Sequence, residues 1–297
     1  MIRPFLKWAG GKSRALPELL PHLPKAKLLV EPFVGGGSVF LNTEYQNYIL
    51  ADSNSDLINV YRCATRHTDL LIDAARALFN NGNHADRYYA VRSQFNAAHE
   101  LNGKKMINGA RRAGFETALI LRAAQFIYLN RHCYNGVCRY NQSGGFNVPY
   151  GKYKDAYFPE TEIRQFAKKA RDTRAVFLCS PFQITLSIIP NTSAVIYCDP
   201  PYLPVSKTSC FTQYNGESFG ESSHHKLVSE LIAINKKTGV PVIISNSDTP
   251  VTREIYAQFK LNEISVRRSI STNAAERNNA DEVIGVLKRR RIEVRNV

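Results

Sequence analysis

Apolar residues in this chain come in short runs that stop at an acid or a glycine. "KLLVEPFVGGGSVF" (27–40) predicts a short buried strand, a glycine loop and the start of a helix. "NYILADSNSDLINVY" (47–61) repeats the order: an apolar run, Asp52 where it ends, then a polar turn and a helix. Two strand-loop-helix units in succession imply a parallel sheet with ligands at the carboxyl edge of its strands. From about Leu57 to Ala156 the pattern turns mostly helical, most strongly in "RRAGFETALILRAAQFIYLNR" (111–131). Breaks fall at "NNGNH" (80–84) and at the basic loop "NGKKMINGARRAG" (102–114). "YNGVCRYNQSGGFNVPYGKY" (134–153) then sets Asn-Gly and Ser-Gly-Gly turns between aromatics, which predicts a β-hairpin.

The parallel-sheet pattern returns afterwards. "RAVFLCS" (174–180), "SAVIYCD" (193–199) and "VPVIISNSD" (240–248) read as short strands. The last two are separated by a helix, "HHKLVSELIAINKK" (224–237), that ends at Gly239. "EISVRRSIS" (263–271) and "DEVIGVLKR" (281–289) look like a closing antiparallel pair. The expected fold class is α/β: a mixed, mainly parallel sheet with helices on both faces. It is split between residues 1–56 and 157–297, around a mainly helical insert at 57–156 that carries the hairpin.

Composition adds a partner. The 297 residues are 44% hydrophobic and 22% charged, ordinary for a globular protein, but 39 Lys+Arg against 25 Asp+Glu give +14. Such an excess suits a polyanion or an anionic membrane surface. No run approaches the ~20 apolar residues of a membrane span, and "MIRPFLKWAGGK" is broken by Pro4 and Gly10 where a signal peptide is apolar. Nucleic acid is therefore the expected partner, with no membrane. The six cysteines form no C-x-x-C pair and no zinc spacing, and Cys179 and Cys198 sit in apolar runs as small hydrophobes. A reduced, cytoplasmic compartment is expected. His224 and His225 are sequence neighbours at a helix start and do not share a face, so no metal site is expected.

The glycine loop suits a nucleotide, because glycines allow a sharp turn that aims backbone N–H groups at a ligand. It is not a dinucleotide fingerprint, since Phe40 stands where the third glycine belongs. "AGGKS" (9–13) ends like a phosphate-binding P-loop, but Leu6 stands where that motif needs glycine. What remains is Phe33-x-Gly35-x-Gly37 after one strand, with Asp52 at the end of the next, placed to accept from two ribose hydroxyls. "AVIYCDPPY" (194–202) runs from a strand into Asp199, Pro200, Pro201 and Tyr202. Asp-Pro commonly opens a turn, yet this order also makes a holder for an amine on a flat ring. The Asp199 carboxylate and the Pro200 carbonyl offer one acceptor to each N–H of an exocyclic amine, localising its lone pair. Pro200 and Pro201 fix φ and remove competing donors. Tyr202 gives an extruded base a face to stack on.

With these residues in place, the chain resembles the Dam-type DNA adenine N6-methyltransferases (D12 class). The likeness is carried in order by "FLKWAGGK", "VEPFVGGGSVF", "YILADSNSDLI", "YLNRHCYNGVCRYN", "FNVPYGKY" and "YCDPPY", over nearly the whole length. The resemblance implies a Rossmann-like methyltransferase fold with an inserted DNA-recognition domain, and S-adenosylmethionine as donor, leaving S-adenosylhomocysteine. It implies Trp8, Gly10, Lys12, Phe33, Gly35, Gly37, Asp52 and Asp199 as donor-binding residues, and double-stranded DNA with GATC as target. Val137 and Ser247 stand where the family has leucine and histidine, and the insert between Phe79 and Gly114 is longer than usual.

The hairpin presents Asn135, Val137, Arg139, Pro149 and Tyr153, and a two-stranded ribbon fits the major groove. By resemblance, Arg139 reads one guanine and Lys7 contacts the other. The polar segment 203–223 is expected to close near the extruded adenine. A monomer is expected. Two other readings stay open: a glutamine N5-methyltransferase of release factors, whose pattern is N-P-P-Y without a basic insert, and a DNA-binding regulator on an inactive scaffold.

Overall fold

A computed structural model describes residues 1–105, 115–189, 193–203, 219–267 and 279–289, with backbone alone for 98–105, 115, 266–267 and 279–280. In chain order the elements are α1 (Leu16–Leu19), β1 (Leu28–Glu31), α2 (Ser38–Leu41), β2 (Asn47–Asp52), α3 (Ser55–Arg66), α4 (Thr68–Phe79), α5 (Ala85–Lys105) and α6 (Phe115–His132). There follow α7 (Glu160–Asp172), β3 (Val176–Cys179), α8 (Phe182–Ser187), β4 (Ala194–Cys198), α9 (Glu221–Thr238), β5 (Val242–Ser247), α10 (Pro250–Ile255), β6 (Lys260–Arg267) and β7 (Asn279–Leu287).

The seven strands form one sheet in the order β3-β2-β1-β4-β5-β7-β6. Strands β1 to β5 pair in parallel, and β7 runs antiparallel between β5 and β6. This is the mixed, mainly parallel sheet that the strand runs predict. The chain starts in the middle at β1, builds outward to β3, then crosses back to place β4 on the other side of β1. That reversal opens a crevice above the carboxyl ends of β1 and β4, where ligands bind in such sheets. Glu31, Asp52 and Asp199 all lie at that edge because each follows or ends a parallel strand.

Every residue of β1, β4 and β5 is buried, as expected for strands covered on both faces. Alternate residues feed two cores. Leu29, Tyr48 and Leu50 point to one that includes residues of α3 to α7, while Leu28, Val30, Ile196 and Ile244 point to the other, under α9. In the first core, Phe166 of α7 is the hub of an aromatic pile with Phe5, Phe40 and Tyr61 at 5.2, 5.2 and 4.6 Å. Burial of Phe5 there pins the N-terminal segment that carries Lys7, Trp8 and Lys12.

Three details differ from the sequence reading. Residues 134–153 turn back on themselves antiparallel, but with only single bridges (Cys133 with Tyr150, Tyr140 with Phe146) and one 3-10 turn at Tyr134–Gly136. Side chains of α5 take the backbone groups a ladder would use: Tyr88 and Arg92 donate to the Val148 carbonyl, and Asn96 bonds both backbone groups of Phe146. Helix α5 runs through Lys105, into the expected basic loop, the rest of which (106–114) lies outside the described residues. Cys179 is exposed rather than packed as a small hydrophobe, since β3 is an edge strand; Cys198 is buried.

Helix α6 packs on α3, α4 and α5 and reaches the sheet side through charge. Arg122 bonds both carboxylate oxygens of Asp56, in the first turn of α3, and donates to the Phe95 carbonyl at 2.8 Å; the ion pair is buried. Removing one partner strands a buried charge. Arg122→Ala is expected to cost about 3–5 kcal/mol in urea unfolding. The Arg122→Ala/Asp56→Ala double variant should lose clearly less than the two single losses added together.

Candidate active site

The N-terminal segment lies over the glycine loop. Gly35 adopts φ +46°, and a Cβ there would meet the Trp8 Nε1 at 2.9 Å, so the loop and Trp8 fit only because position 35 lacks a side chain. Tyr61 of α3 holds the loop from beneath by donating to the Gly35 carbonyl. Asp52 holds it from the side: one oxygen accepts the Gly35 N–H at 3.2 Å and the other the Asn54 N–H at 2.9 Å. Burial pushes the Asp52 carboxyl up to about 6, against the pull of those N–H groups.

Lys12 and Asp199 meet across the crevice at 2.9 Å. The Lys12 ammonium also donates to the Gly10 carbonyl at 2.9 Å and sits 4.4 Å from the centre of the Tyr202 ring. Ser245 of β5 donates to Asp199 at 3.0 Å. Burial raises the Asp199 carboxyl pKa; Lys12 counters this, and the nearby charge of Glu282 adds to it. The Tyr202 hydroxyl donates to Glu282 at 2.7 Å, which anchors the tip of the ring. Trp8, Gly10, Lys12, Gly35, Asp52, Asp199 and Tyr202 are thus gathered at one edge.

Phe33 lies on the far side of the loop, 5.8 Å from Phe182 and 5.6 Å from Phe219. Gly37 takes φ +73° at the start of α2. The segment 204–218, most of the polar stretch expected to close over the site, lies outside the described residues.

Lys7, Asn135 and Tyr153 form a second cluster beside the first. The Lys7 backbone pairs with Asn130 through bonds of 2.8 and 2.7 Å, and its ammonium stands 4.0 Å above the Tyr153 ring. Burial and the Arg131 charge lower its pKa. Asn135 adopts φ +54° and is exposed. Further along the loop Cys138 is buried and Arg139 exposed, its guanidinium bonded to Asn147 at 2.8 and 3.3 Å. Pro149 is exposed and accepts the Tyr134 N–H at 2.9 Å, whereas Val137 is half-buried against the core.

Sequence reasoning missed Glu31, Ser245 and Glu282. Glu31 is buried, its Oε1 finds no hydrogen-bond partner among the described residues, and burial together with the Asp199 charge raises its pKa well above the usual carboxylate range. An acid inside an otherwise apolar strand was a visible signal. Glu282 had none, because it reaches the site through the antiparallel register that sets it opposite Ser247.

A sheet of this order, with a glycine loop after β1 and an acid-proline-proline-aromatic turn after β4, defines an α/β methyltransferase class. Residues 8–270 match the family model of the D12 class N6 adenine-specific DNA methyltransferases. The chain is 45% identical to the DNA adenine methylase of Escherichia coli K12, with 96% of this chain and 95% of that protein covered. It is 44% identical to the DNA adenine methylase of Serratia marcescens (96% and 98% covered) and to that of Haemophilus influenzae (97% and 95%). The chain belongs to the D12 class of N6 adenine-specific DNA methyltransferases. Among the described residues no helix is long and apolar enough to cross a membrane, and no group of three His, Cys, Asp or Glu side chains could hold a metal ion.

The raised Asp52 pKa has a signed consequence. A carboxyl that titrates higher when folded binds more protons than the unfolded chain between pH 4 and 6, so wild type loses stability across that window. Asp52→Asn lacks this titration. Its urea midpoint should gain on that of wild type as pH rises through about 6 and level off above 7. A difference between the two that stays constant from pH 4 to 8 would contradict the burial argument.

Proposed function

We propose that this enzyme transfers the methyl group of S-adenosylmethionine to N6 of an adenine in GATC, after the base has left the duplex. The observation that carries this reading is the Asp199-Pro200-Pro201-Tyr202 turn, its carboxylate held by Lys12 and Ser245, standing beside the glycine loop at the sheet crossover. The site suits the donor's chemistry. The buried Glu31 Oε1, without a partner among the described residues, offers an acceptor for an ammonium, Asp52 for ribose hydroxyls, and Phe33 with Phe182 an apolar wall for a purine. Trp8 and Gly10 complete the enclosure. When bound, the donor supplies an electrophilic methyl group on a sulfonium sulfur.

The chain's own residues prepare the nucleophile. Asp199 and the Pro200 carbonyl each accept one N–H of the adenine amine, which draws its lone pair out of the ring and aims it. Lys12 stabilises the Asp199 anion against the cost of burial. Tyr202, its ring set by Glu282 and Lys12, stacks on the base. Extrusion leaves the amine accessible and selects for bases that unstack cheaply.

Residues 57–156 act as the recognition unit, within a chain whose +14 charge suits duplex DNA. Asn135, Val137, Arg139, Pro149 and Tyr153 belong to its reading loop. Arg139 projects between the buried Cys138 and the half-buried Tyr140, and we assign it to a guanine in the major groove, with Lys7 on the second guanine.

Tritiated S-adenosylmethionine offered with a GATC duplex, a GATC-free duplex and a release factor tests the reading. Label should enter the GATC duplex alone; label in the release factor supports amide methylation, and none anywhere supports an inactive scaffold. Asp199→Ala should lower the single-turnover rate on the order of a hundredfold or more. Retention of over a tenth of wild-type rate would remove Asp199 from the chemistry.

Arg139 is tested by discrimination. A bidentate guanine contact carries ~1–3 kcal/mol against the wrong base. Arg139→Ala should therefore lose roughly ten- to hundredfold of its preference for GATC over sites altered at one guanine. Rates are compared at matched salt, because phosphate contacts are salt-dependent. Equal slowing on every sequence would make Arg139 a phosphate clamp.

A further inference from the structure

Covalent geometry positions only part of the amine holder. A residue that precedes proline is confined to extended backbone, which fixes Asp199 before Pro200 and Pro200 before Pro201. The pyrrolidine ring then fixes φ of Pro201. Its ψ is the first soft dihedral in the turn, and it decides where the Tyr202 ring stands relative to the Pro200 carbonyl. Neither proline has an N–H with which to anchor the loop. Because the peptide is planar, the direction of the Pro201 carbonyl reports ψ, and whatever holds that carbonyl holds the tyrosine.

His224, in the first turn of α9, holds it. Its Nε2 lies 3.0 Å from the Pro201 carbonyl, and the side chain is fully buried. The tautomer follows from its neighbours. Asn246 Nδ2 donates to the Tyr256 hydroxyl at 3.0 Å, so that hydroxyl turns its own proton to His224 Nδ1 at 3.2 Å. Nδ1 accepts, and Nε2 carries the hydrogen that points at Pro201. Burial lowers the imidazole pKa to about 4, which keeps the ring neutral with one proton to give. The Phe219 ring stands edge-on at 4.9 Å against the imidazole. One step further, Asn246 Oδ1 accepts the Leu203 N–H at 3.2 Å and Ser247 donates to the Leu203 carbonyl at 2.8 Å.

We propose that His224 is a positioning residue for methyl transfer: its Nε2–H fixes ψ of Pro201 and thereby aligns the Tyr202 ring with the two amine acceptors, Asp199 and the Pro200 carbonyl. Tyr256 and Asn246 set its tautomer. His224 touches neither the base nor the donor. It acts through the backbone, so its loss should slow the transfer step and leave binding alone. This rests on the function proposed above, and wild-type transfer to a GATC duplex is the control that tests that function separately.

The experiment measures single-turnover methylation of a GATC duplex, with dissociation constants for S-adenosylmethionine and for DNA, in His224→Leu, His224→Gln and Tyr256→Phe. His224→Leu removes the donor while keeping an apolar filler. It should react at least tenfold more slowly, with both dissociation constants within twofold of wild type. His224→Gln presents an amide N–H at similar reach and should recover to within about threefold of wild type. Tyr256→Phe should slow the reaction by three- to tenfold. A folded His224→Leu protein that reacts within threefold of wild type, or a His224→Gln protein as slow as it, overturns the assignment. If His224→Leu does not fold, Tyr256→Phe decides: a slowed rate with unchanged binding supports the relay, and an unchanged rate overturns it.

Discussion

Lys12 comes from a segment that precedes the sheet, and Asp199 directly follows β4; they meet at 2.9 Å in a buried crevice. A lone ammonium or carboxylate in that place would carry a desolvation penalty of several kcal/mol. Each therefore requires the other, and their meeting requires the chain crossover that sets β4 beside β1. The pair also needs the N-terminal segment to be pinned, which the Phe5–Phe166 contact and the Trp8 fit over Gly35 accomplish. Substituting any of these acts on the site at a distance, through the same pair. The ion pair is weak evidence for net stability but strong evidence for geometry, since it fixes a carboxylate beside an aromatic ring to within a hydrogen bond.

Near that pair, acids crowd the crevice. Glu31, Asp52, Asp199 and Glu282 all stand at the carboxyl edge, while Lys12 bonds one of them. Burial raises the first three; the Asp199 charge adds to it at Glu31, and the Glu282 charge at Asp199. A site so short of positive charge stores electrostatic cost that a cationic ligand would relieve. A sulfonium with an ammonium group, the donor proposed above, is such a ligand.

Much of this was legible in the sequence because parallel strands announce themselves locally. The apolar runs at 28–31, 47–52, 194–198 and 242–247 each became a strand, and the acids at the ends of the first three, Glu31, Asp52 and Asp199, stand at one edge. What stayed hidden depends on pairing rather than on local pattern. Glu282 reads as one more polar residue in an alternating strand until β7 inserts antiparallel beside β5. His224 reads as half of a histidine pair, yet its ring is buried against Pro201 while His225 faces solvent. The hairpin signal was real in its turns, but it could not reveal that α5 would claim the backbone of one leg.

The same logic joins the loop at 134–153 to the carboxyl edge of β2. Asn54 caps α3 by accepting the Asp56 and Leu57 N–H groups, gives its own N–H to Asp52, and reaches the Cys138 sulfur with its amide at 3.5 Å. Asp56 in turn accepts the Tyr140 hydroxyl at 2.8 Å beside Arg122. Cys138 and Tyr140 are the neighbours of Arg139. The exposed arginine therefore stands between two anchors: Cys138, which shares Asn54 as a partner with the acid at the end of β2, and Tyr140, held by Asp56. A loop held only by turns would leave the guanidinium free to find any phosphate. Anchored on both sides to a buried network that includes the Arg122–Asp56 ion pair, the backbone at Arg139 is fixed, as the guanine contact proposed for it requires.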